Sequence, residues 1–490
     1  MIPVIFSSAF PVFAARGNKS ALMDATQKRI ADDAQKRLGP RVFAIVAGLF
    51  FFVALVKFGT PVILDNILLP PENAQAAVFE SWQLKWGYWM MLPLFAAGLA
   101  AVRGQKLSFS WMLILPLVWL AWQFIAASQS VGPMLMSVPL DNLSPEQLAR
   151  LEKNYRMLRL VTLEHFSACV ALFYLGYFTM RGVRSPWPVW TGIALALCWI
   201  LHAGLEQHFG GLEATRRMVA SMKESVGLPA GILNDPDYQK KIASNRIFST
   251  FSSPDALAGC IILLLPMTLV FLWQLTPKVR TSVRRAFVVI LGGCGLACLY
   301  WSGSKAGWLV TLIVAVVALG HSAIATKWKR ILICGVLVCG VAGFGLRYAG
   351  FFQKEKNSMG ARFAYWRAAL KIVEMHPLLG TGPGTFSIFY GQLKRPDDEA
   401  TKLCHNDYLE QACDSGLPGF LVYTGMIVGY LWWLYRYRTG KSVREFTIFY
   451  AVWLGVAGLC LHSVVEYHLY VPSLMWPMFF LLGWAMSLMD

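Results

Sequence analysis

Charged residues are scarce in this chain. They make up 14% of its 490 residues, against roughly 25% in soluble globular proteins. Acid is scarcer than base: 27 Asp+Glu stand against 44 Lys+Arg, for a net charge of +17. This composition excludes a cytosolic enzyme and a disordered chain. Ten cysteines are present, but no CxxC pair and no His/Cys cluster of zinc-ligand spacing, which excludes a disulfide-stapled module. A strand leading into GxGxxG is missing too, so there is no dinucleotide fingerprint. Residues 1–15 are mildly apolar and end near Phe13-Ala14-Ala15, without the basic n-region of a cleaved secretory signal. We find no internal repeat and no stretch long enough for a large soluble domain.

What remains is apolar. Hydrophobic residues make up 56% of the chain, and mean hydropathy is +0.51. A membrane-crossing helix needs about 20 apolar residues. Apolar stretches fall near 42–64, 86–103, 109–127, 158–179, 186–206, 255–274, 286–303, 306–325, 331–349, 416–435, 445–464 and 470–489. The predicted fold class is therefore all-α: a polytopic integral membrane protein of about twelve transmembrane helices. Eight of the ten cysteines lie inside these stretches, where cysteine packs as a small hydrophobe. Cys404 and Cys413 lie outside them, and a bridge between those two stays open.

Charge sets the expected orientation. Alternate short connections are basic: Arg103/Lys106, Arg181/Arg184, Lys278/Arg280/Arg284/Arg285, Lys327/Lys329/Arg330 and Arg436/Arg438/Lys441/Arg444. With twelve spans these all fall on one side, which puts both termini in the cytoplasm by the positive-inside rule. Residues 1–41 then form a cytoplasmic basic segment. Within it, 20–38 reads as an amphipathic helix suited to an anionic lipid surface. Residues 42–349 hold the first nine spans, with outer loops near 128–157 and 207–254. Residues 350–415 form a large helical outer loop, and 416–490 hold the last three spans. Ser144-Pro145-Glu146-Gln147 predicts a capping-box helix start.

Polar chemistry gathers in a few places. Residues 244–259 bring Arg246 to the edge of a span, with Ser253 or Asp255 as its expected cap. Residues 302–308 form a tight turn around Lys305, an interfacial anchor or an anion ligand. The large loop carries Arg362 and Arg367 on a helical stretch, then Gly380-Thr381-Gly382-Pro383-Gly384, whose glycines permit close approach to a ligand. Next come Cys404-His405-Asn406-Asp407. A histidine at a membrane boundary can accept a proton near neutral pH. His462, Glu466 and His468 have a spacing that suits a metal on paper, but no further carboxylate partner is evident in the sequence; a polar bundle interior is the simpler reading. Cations and one histidine at the mouth of a helical bundle point to a phosphate-bearing lipid. Nothing points to nucleic acid.

Several of these pieces, in this order, resemble the O-antigen ligase/polymerase superfamily of bacterial membrane glycosyltransferases. The resemblance is carried by Arg246-Ile247-Phe248-Ser249-Thr250-Phe251 with Pro254 and Ala258-Gly259, and by Ser302-Gly303-Ser304-Lys305-Ala306-Gly307-Trp308. It continues through Arg362 with Trp366, His376-Pro377 with Gly380-Thr381-Gly382-Pro383-Gly384, and His405-Asn406-Asp407-Tyr408-Leu409-Glu410 with Gly416. It covers residues ~240–430; the earlier spans agree in character alone. The resemblance implies a GT-C-like enzyme of the inner membrane with its active site facing the periplasm. The donor it implies is a glycan on undecaprenyl pyrophosphate. The acceptor is lipid A core or another glycan, and membrane lipids surround both. Neither cofactor nor metal is implied. The family's essential histidine corresponds to His405, and its arginines to Arg246 and Arg362, with Arg367 as competitor for the second. Lys305, Arg367, Asn406, Gly382 and Gly384 are the expected substrate contacts. Lys305 departs from the family, where Arg is common, and the N-terminal segment is unusually long.

The expected reaction is direct, inverting displacement. His405 takes the proton of the attacking hydroxyl, Arg246 and Arg362 hold the leaving pyrophosphate, and Lys305 assists. Asn406 orients the imidazole or binds sugar. An O-antigen ligase is the first reading. A polymerase of O-antigen or exopolysaccharide and a protein O-oligosaccharyltransferase share these motifs. A transporter with a basic vestibule is the alternative of another class; it requires ionisable residues at mid-membrane depth, where Glu164, His165, His202 and His321 form no evident relay.

Overall fold

The computed structural model describes residues 18–68, 81–103, 105, 110–130, 144–183, 185–213, 243–275, 279–322, 324–348, 358–436 and 443–489, with backbone alone at 18–37, 67, 275, 347–348 and 443–446. The apolar N-terminal residues 1–15, most of the loop 207–254 and the start of the large loop lie outside the described residues, as does the apolar face expected over 20–38.

Among the described residues, each of the twelve apolar stretches overlaps an α-helix. In chain order they are α1 (Asn18–Lys57), α2 (Leu84–Val102), α3 (Ile114–Ala127), α4 (Pro145–Met180), α5 (Trp187–Glu206), α6 (Pro254–Leu275), α7 (Thr281–Ser302), α8 (Lys305–His321) and α9 (Thr326–Tyr348), then α12 (Asp407–Arg436), α13 (Val443–His462) and α14 (Pro472–Ser487). Between α9 and α12 lie two helices of the large loop, α10 (Ser358–Met375) and α11 (Phe386–Leu393). Among the described residues there is no strand, and an isolated β-bridge joins Gly59 to Phe251. By length and composition, seven of the described helices can cross a membrane: α1, α4, α5, α6, α7, α9 and α12. Residues 111–127, 305–321 and 447–462 form shorter apolar helices.

Local sequence signals account for several helix ends. α4 opens on the expected capping box: Ser144 Oγ accepts from the Gln147 amide, the Gln147 side chain accepts from the Ser144 amide, and Pro145 takes the first position. Ser253 Oγ accepts from the Ala256 amide at 3.1 Å and so caps α6. α1 runs through Pro40 without interruption, joining the basic segment to the first apolar stretch in one helix. α12 contains a break at Ser415 and Gly416, where Gly416 has φ +69°. The apolar part of α12 therefore starts at this glycine.

The core is organised around α14, all of whose residues are buried. Trp476 stacks with Phe50 at 5.9 Å and meets Phe58 at 5.3 Å. α14 packs along α4. A Cβ on Gly483 would come within 1.9 Å of the Phe173 carbonyl oxygen, and one on Gly176 within 2.1 Å of that of Phe480. Small residues at this crossing let the two backbones meet, the usual device of helix packing in membranes. At the periphery, α9 exposes Ile331, Leu332, Val338, Val341 and Leu346, a surface that suits lipid.

Candidate active site

The polar residues meet where several helices begin or end. Arg246 lies ahead of α6, the Ser302–Ser304 turn joins α7 to α8, His405 precedes α12, and Glu466 lies between α13 and α14. Hydrogen bonds tie these segments together. The Arg246 guanidinium donates through Nε to the Ser302 carbonyl at 2.6 Å and through Nη2 to Asp255 at 2.9 Å. Gly303 makes that approach feasible. It has φ +64°, and a Cβ there would come within 3.2 Å of the Arg246 side chain. Lys305 follows as the first residue of α8, half-buried and next to Ser304, the cap of that helix.

Glu466 is the centre of the cluster. Its carboxylate is 2% exposed, and a buried carboxylate requires compensating partners. It has two. Arg362, on α10, donates to Oε1, and His405 Nδ1 lies 3.0 Å from Oε2. Burial works against the Arg362 charge, but the Glu466 and Asp255 carboxylates outweigh it and push its pKa up. The result is a row of alternating charge, Arg246, Asp255, Arg362 and Glu466, with the His405 imidazole at its end. The His405 ring stacks on Tyr365 at 5.6 Å and meets Tyr467 edge-on at 4.6 Å. Its Nε2 makes no hydrogen bond among the described residues. The side chain is 24% exposed.

The backbone at this site is strained. Ser249 and His405 are the non-glycine residues with positive φ among those described, at +55° and +54°. Such conformations carry an energy of about 1–3 kcal/mol each and persist only where the surroundings impose them. Both lie in segments that deliver a site residue. Ser249 is pinned by Gln207 and by the Ile200 carbonyl. His405 is pinned by the Glu466 contact and by the start of α12.

The structure thus brings Arg246, Arg362 and His405 together, with Lys305 on the adjoining turn. Arg367 is separate: it pairs with Asp398 at 2.9 Å and is half exposed. Asn406 caps α12, its Oδ1 accepting from the Tyr408 and Leu409 amides at 3.0 Å each. Gly382 and Gly384 belong to a different cluster. Gly384 donates to Asp414 Oδ1 at 3.0 Å, and a Cβ on Gly382 would come within 3.0 Å of Arg159. Both have positive φ, +101° and +74°, and their conformational freedom goes into packing against α4. Cys404 and Cys413 are free thiols, so no bridge joins them. The His462/Glu466/His468 spacing resolves into two units. His468 Nε2 meets His462 Nδ1 at 2.8 Å, while Glu466 turns to Arg362 and His405. Among the described residues no group of three His, Cys, Asp or Glu is arranged to hold a metal. Two open grooves lie elsewhere, along α4. One is lined by Tyr88, Phe124 and Glu164, the other by Gln129, Arg156 and Arg159.

Sequence reasoning assigned Glu466 no partner and treated Asp255 as a helix cap. A signal for Glu466 existed: it is an acid in the short break between two apolar stretches, with no Lys or Arg beside it, and such an acid needs a cation from another element.

An all-helical bundle with seven helices able to cross a membrane defines a multi-pass membrane protein. Residues 286–424, which hold Lys305, Arg362 and His405, match the family described as O-antigen ligase. That match covers part of the chain and supports the likeness to the O-antigen ligase/polymerase superfamily. No curated protein matches the chain.

Proposed function

We propose that the chain is a glycosyltransferase of the bacterial inner membrane, working on its periplasmic face and crossing the bilayer about twelve times. It transfers a glycan from undecaprenyl pyrophosphate to a sugar hydroxyl of lipid A core, as an O-antigen ligase does. The observation that carries this reading is the adjacency of His405 to the row of charge that ends in Arg246. Arg246 is 37% exposed, and its Nη1 has no partner among the described residues. A guanidinium with one free edge beside an imidazole with one free nitrogen suits a reaction that binds a phosphate and removes a proton.

His405 Nε2 takes the proton of the acceptor hydroxyl as that oxygen attacks the anomeric carbon. The bond from that carbon to the phosphate oxygen breaks. Undecaprenyl pyrophosphate leaves, its developing charge met by Arg246 and assisted by Lys305. Attack opposite the leaving group inverts the anomeric centre. This sequence of steps calls on neither cofactor nor metal.

Gene deletion followed by gel analysis of the surface glycan tests the assignment. A ligase leaves normal lipid-linked polymer and no long chains on lipid A core. Single repeats remaining on the core mean a polymerase instead. Purified protein that leaves lipid-linked glycan chemically unchanged in the presence of acceptor overturns the enzyme assignment and favours a transporter.

A further inference from the structure

We propose that Arg362 and Glu466 are a positioning pair for His405, with Glu466 holding the imidazole so that Nδ1 carries the proton and Nε2 is left free, and with Arg362 serving as counterion to Glu466 rather than as a contact to the pyrophosphate. This rests on the glycosyl-transfer reading above and assigns a division of labour within it.

Three observations carry it. The first is that Glu466 Oε2 faces Nδ1 and not Nε2. A carboxylate accepts and cannot donate, so Nδ1 bears the hydrogen. The remaining nitrogen then presents a lone pair to the exposed side of the ring. As His405 gains the acceptor proton on Nε2, it becomes a cation with one N–H directed at the Glu466 carboxylate. The same logic governs an acid that orients a catalytic histidine in hydrolases.

The second is that each of the three guanidinium nitrogens of Arg362 has a partner in the protein. Nε donates to the Val465 carbonyl at 3.0 Å, Nη2 to Glu466, and Nη1 to the Ser358 carbonyl at 3.4 Å. Its side chain is 13% exposed, against 37% for Arg246. A planar fork binds phosphate through a free edge, and Arg246 has one. The third is that Arg362 grips both the Val465 carbonyl and the Glu466 side chain. It therefore fixes the segment between α13 and α14 from which the carboxylate projects.

The groups facing His405 are Glu466 and Tyr467 from that segment, Tyr365 from α10, and His468 from the turn before α14, with Arg362 reaching it through Glu466. Asp255 faces Arg362 from α6. Of these, Glu466 is the group that stabilises imidazolium directly.

The test is steady-state transfer as a function of pH, with lipid-linked glycan varied at saturating acceptor, in full-length protein. Glu466→Gln keeps the shape and removes the charge. We expect kcat to fall by at least about tenfold, the acid limb of the rate profile to move to lower pH, and the donor KM to hold. Glu466→Asp restores the charge and should return the acid limb toward its wild-type position. Arg362→Lys should lower kcat with little change in donor KM. An unmoved acid limb in Glu466→Gln overturns the proposal, whatever the rate. If Glu466→Gln does not accumulate in the membrane, Arg362→Lys decides: a raised donor KM with kcat retained makes Arg362 a donor contact and overturns the pairing. His405→Ala separates this from the wider reading. Wild-type transfer by His405→Ala removes His405 as the base. A dead His405→Ala alongside an unmoved Glu466→Gln profile removes the positioning pair alone.

Discussion

Two groups of acids, all buried except the partly buried Asp255, lie close to each other, and they are satisfied in opposite ways. Asp255 and Glu466 are balanced by arginines and an imidazole. Asp407, Glu410 and Asp414, on the first turns of α12, are met by neutral donors. Asp414 accepts from the Gly384 amide and the Tyr470 hydroxyl, Asp407 from the Leu469 amide, and Glu410 from the Cys404 amide. None of these three has a cation partner within ion-pair distance among the described residues. Cationic partners leave a group of charges that an anionic substrate can join. Backbone and phenol donors leave a clasp, closed on itself, that fastens the glycine loop and the 469–470 segment to α12. The first group suits chemistry, and the second holds the first in place.

The largest effect expected from disturbing the first group is at its end. His405→Ala should lower transfer by about 10²–10⁴-fold, with normal membrane insertion measured on the same preparation. Near-normal turnover would erase the distinction between the two groups. Arg246→Lys comes next. It keeps the charge but turns a two-point phosphate contact into one, and should reduce donor kcat/KM by about 10–100-fold. Lys305→Arg should be tolerated, and Arg367→Lys, at an exposed pair with Asp398, should leave donor KM where it was.

The clasp should respond in stability instead. Asp414→Ala leaves the Gly384 amide and the Tyr470 hydroxyl buried without their acceptor, at about 1–3 kcal/mol. A lower thermal midpoint in detergent should accompany an unaltered pH–rate profile in the protein that remains folded. A shifted profile would mean that the two groups act as one.

The smallest effect is a pH dependence of stability. Burial, with the neighbouring His462, pushes the His468 pKa down to about 3, and burial lowers that of His376 as well. An unfolded histidine titrates near 6.5. Below that value the unfolded chain takes up protons that the native chain does not. The stabilisation is complete above about pH 6.5 and declines as pH falls toward the folded values, by at most about 1.4 kcal/mol per pH unit for each histidine. Thermal midpoints between pH 7 and pH 5 should therefore decrease, and less so in His376→Gln.

The helices were legible because hydrophobic length is a local property. So were the Ser144 capping box, the Ser253 cap and the start of apolar α12 at Gly416, each set within a few residues. Asn406 could have been read as a cap from its place before Asp407 and Glu410. Gly382 and Gly384 were read as ligand contacts because the sequence shows conformational freedom without showing what fills the space; here it is the side of α4. Glu466 was not legible as a partner of His405 and Arg362. They stand 61 and 104 residues away, and such a meeting is fixed by how helices cross.

The span 286–424 that matches the family is not a transplantable cassette. It supplies Arg362 and His405, yet Arg246 and Asp255 enter from upstream and Glu466 from downstream. A chimera that exchanges this span between relatives carries the imidazole away from its carboxylate and from the guanidinium with the open edge. Activity in such hybrids will depend on whether the host's flanking helices offer matching groups at the same helix ends, so the unit of exchange is the bundle.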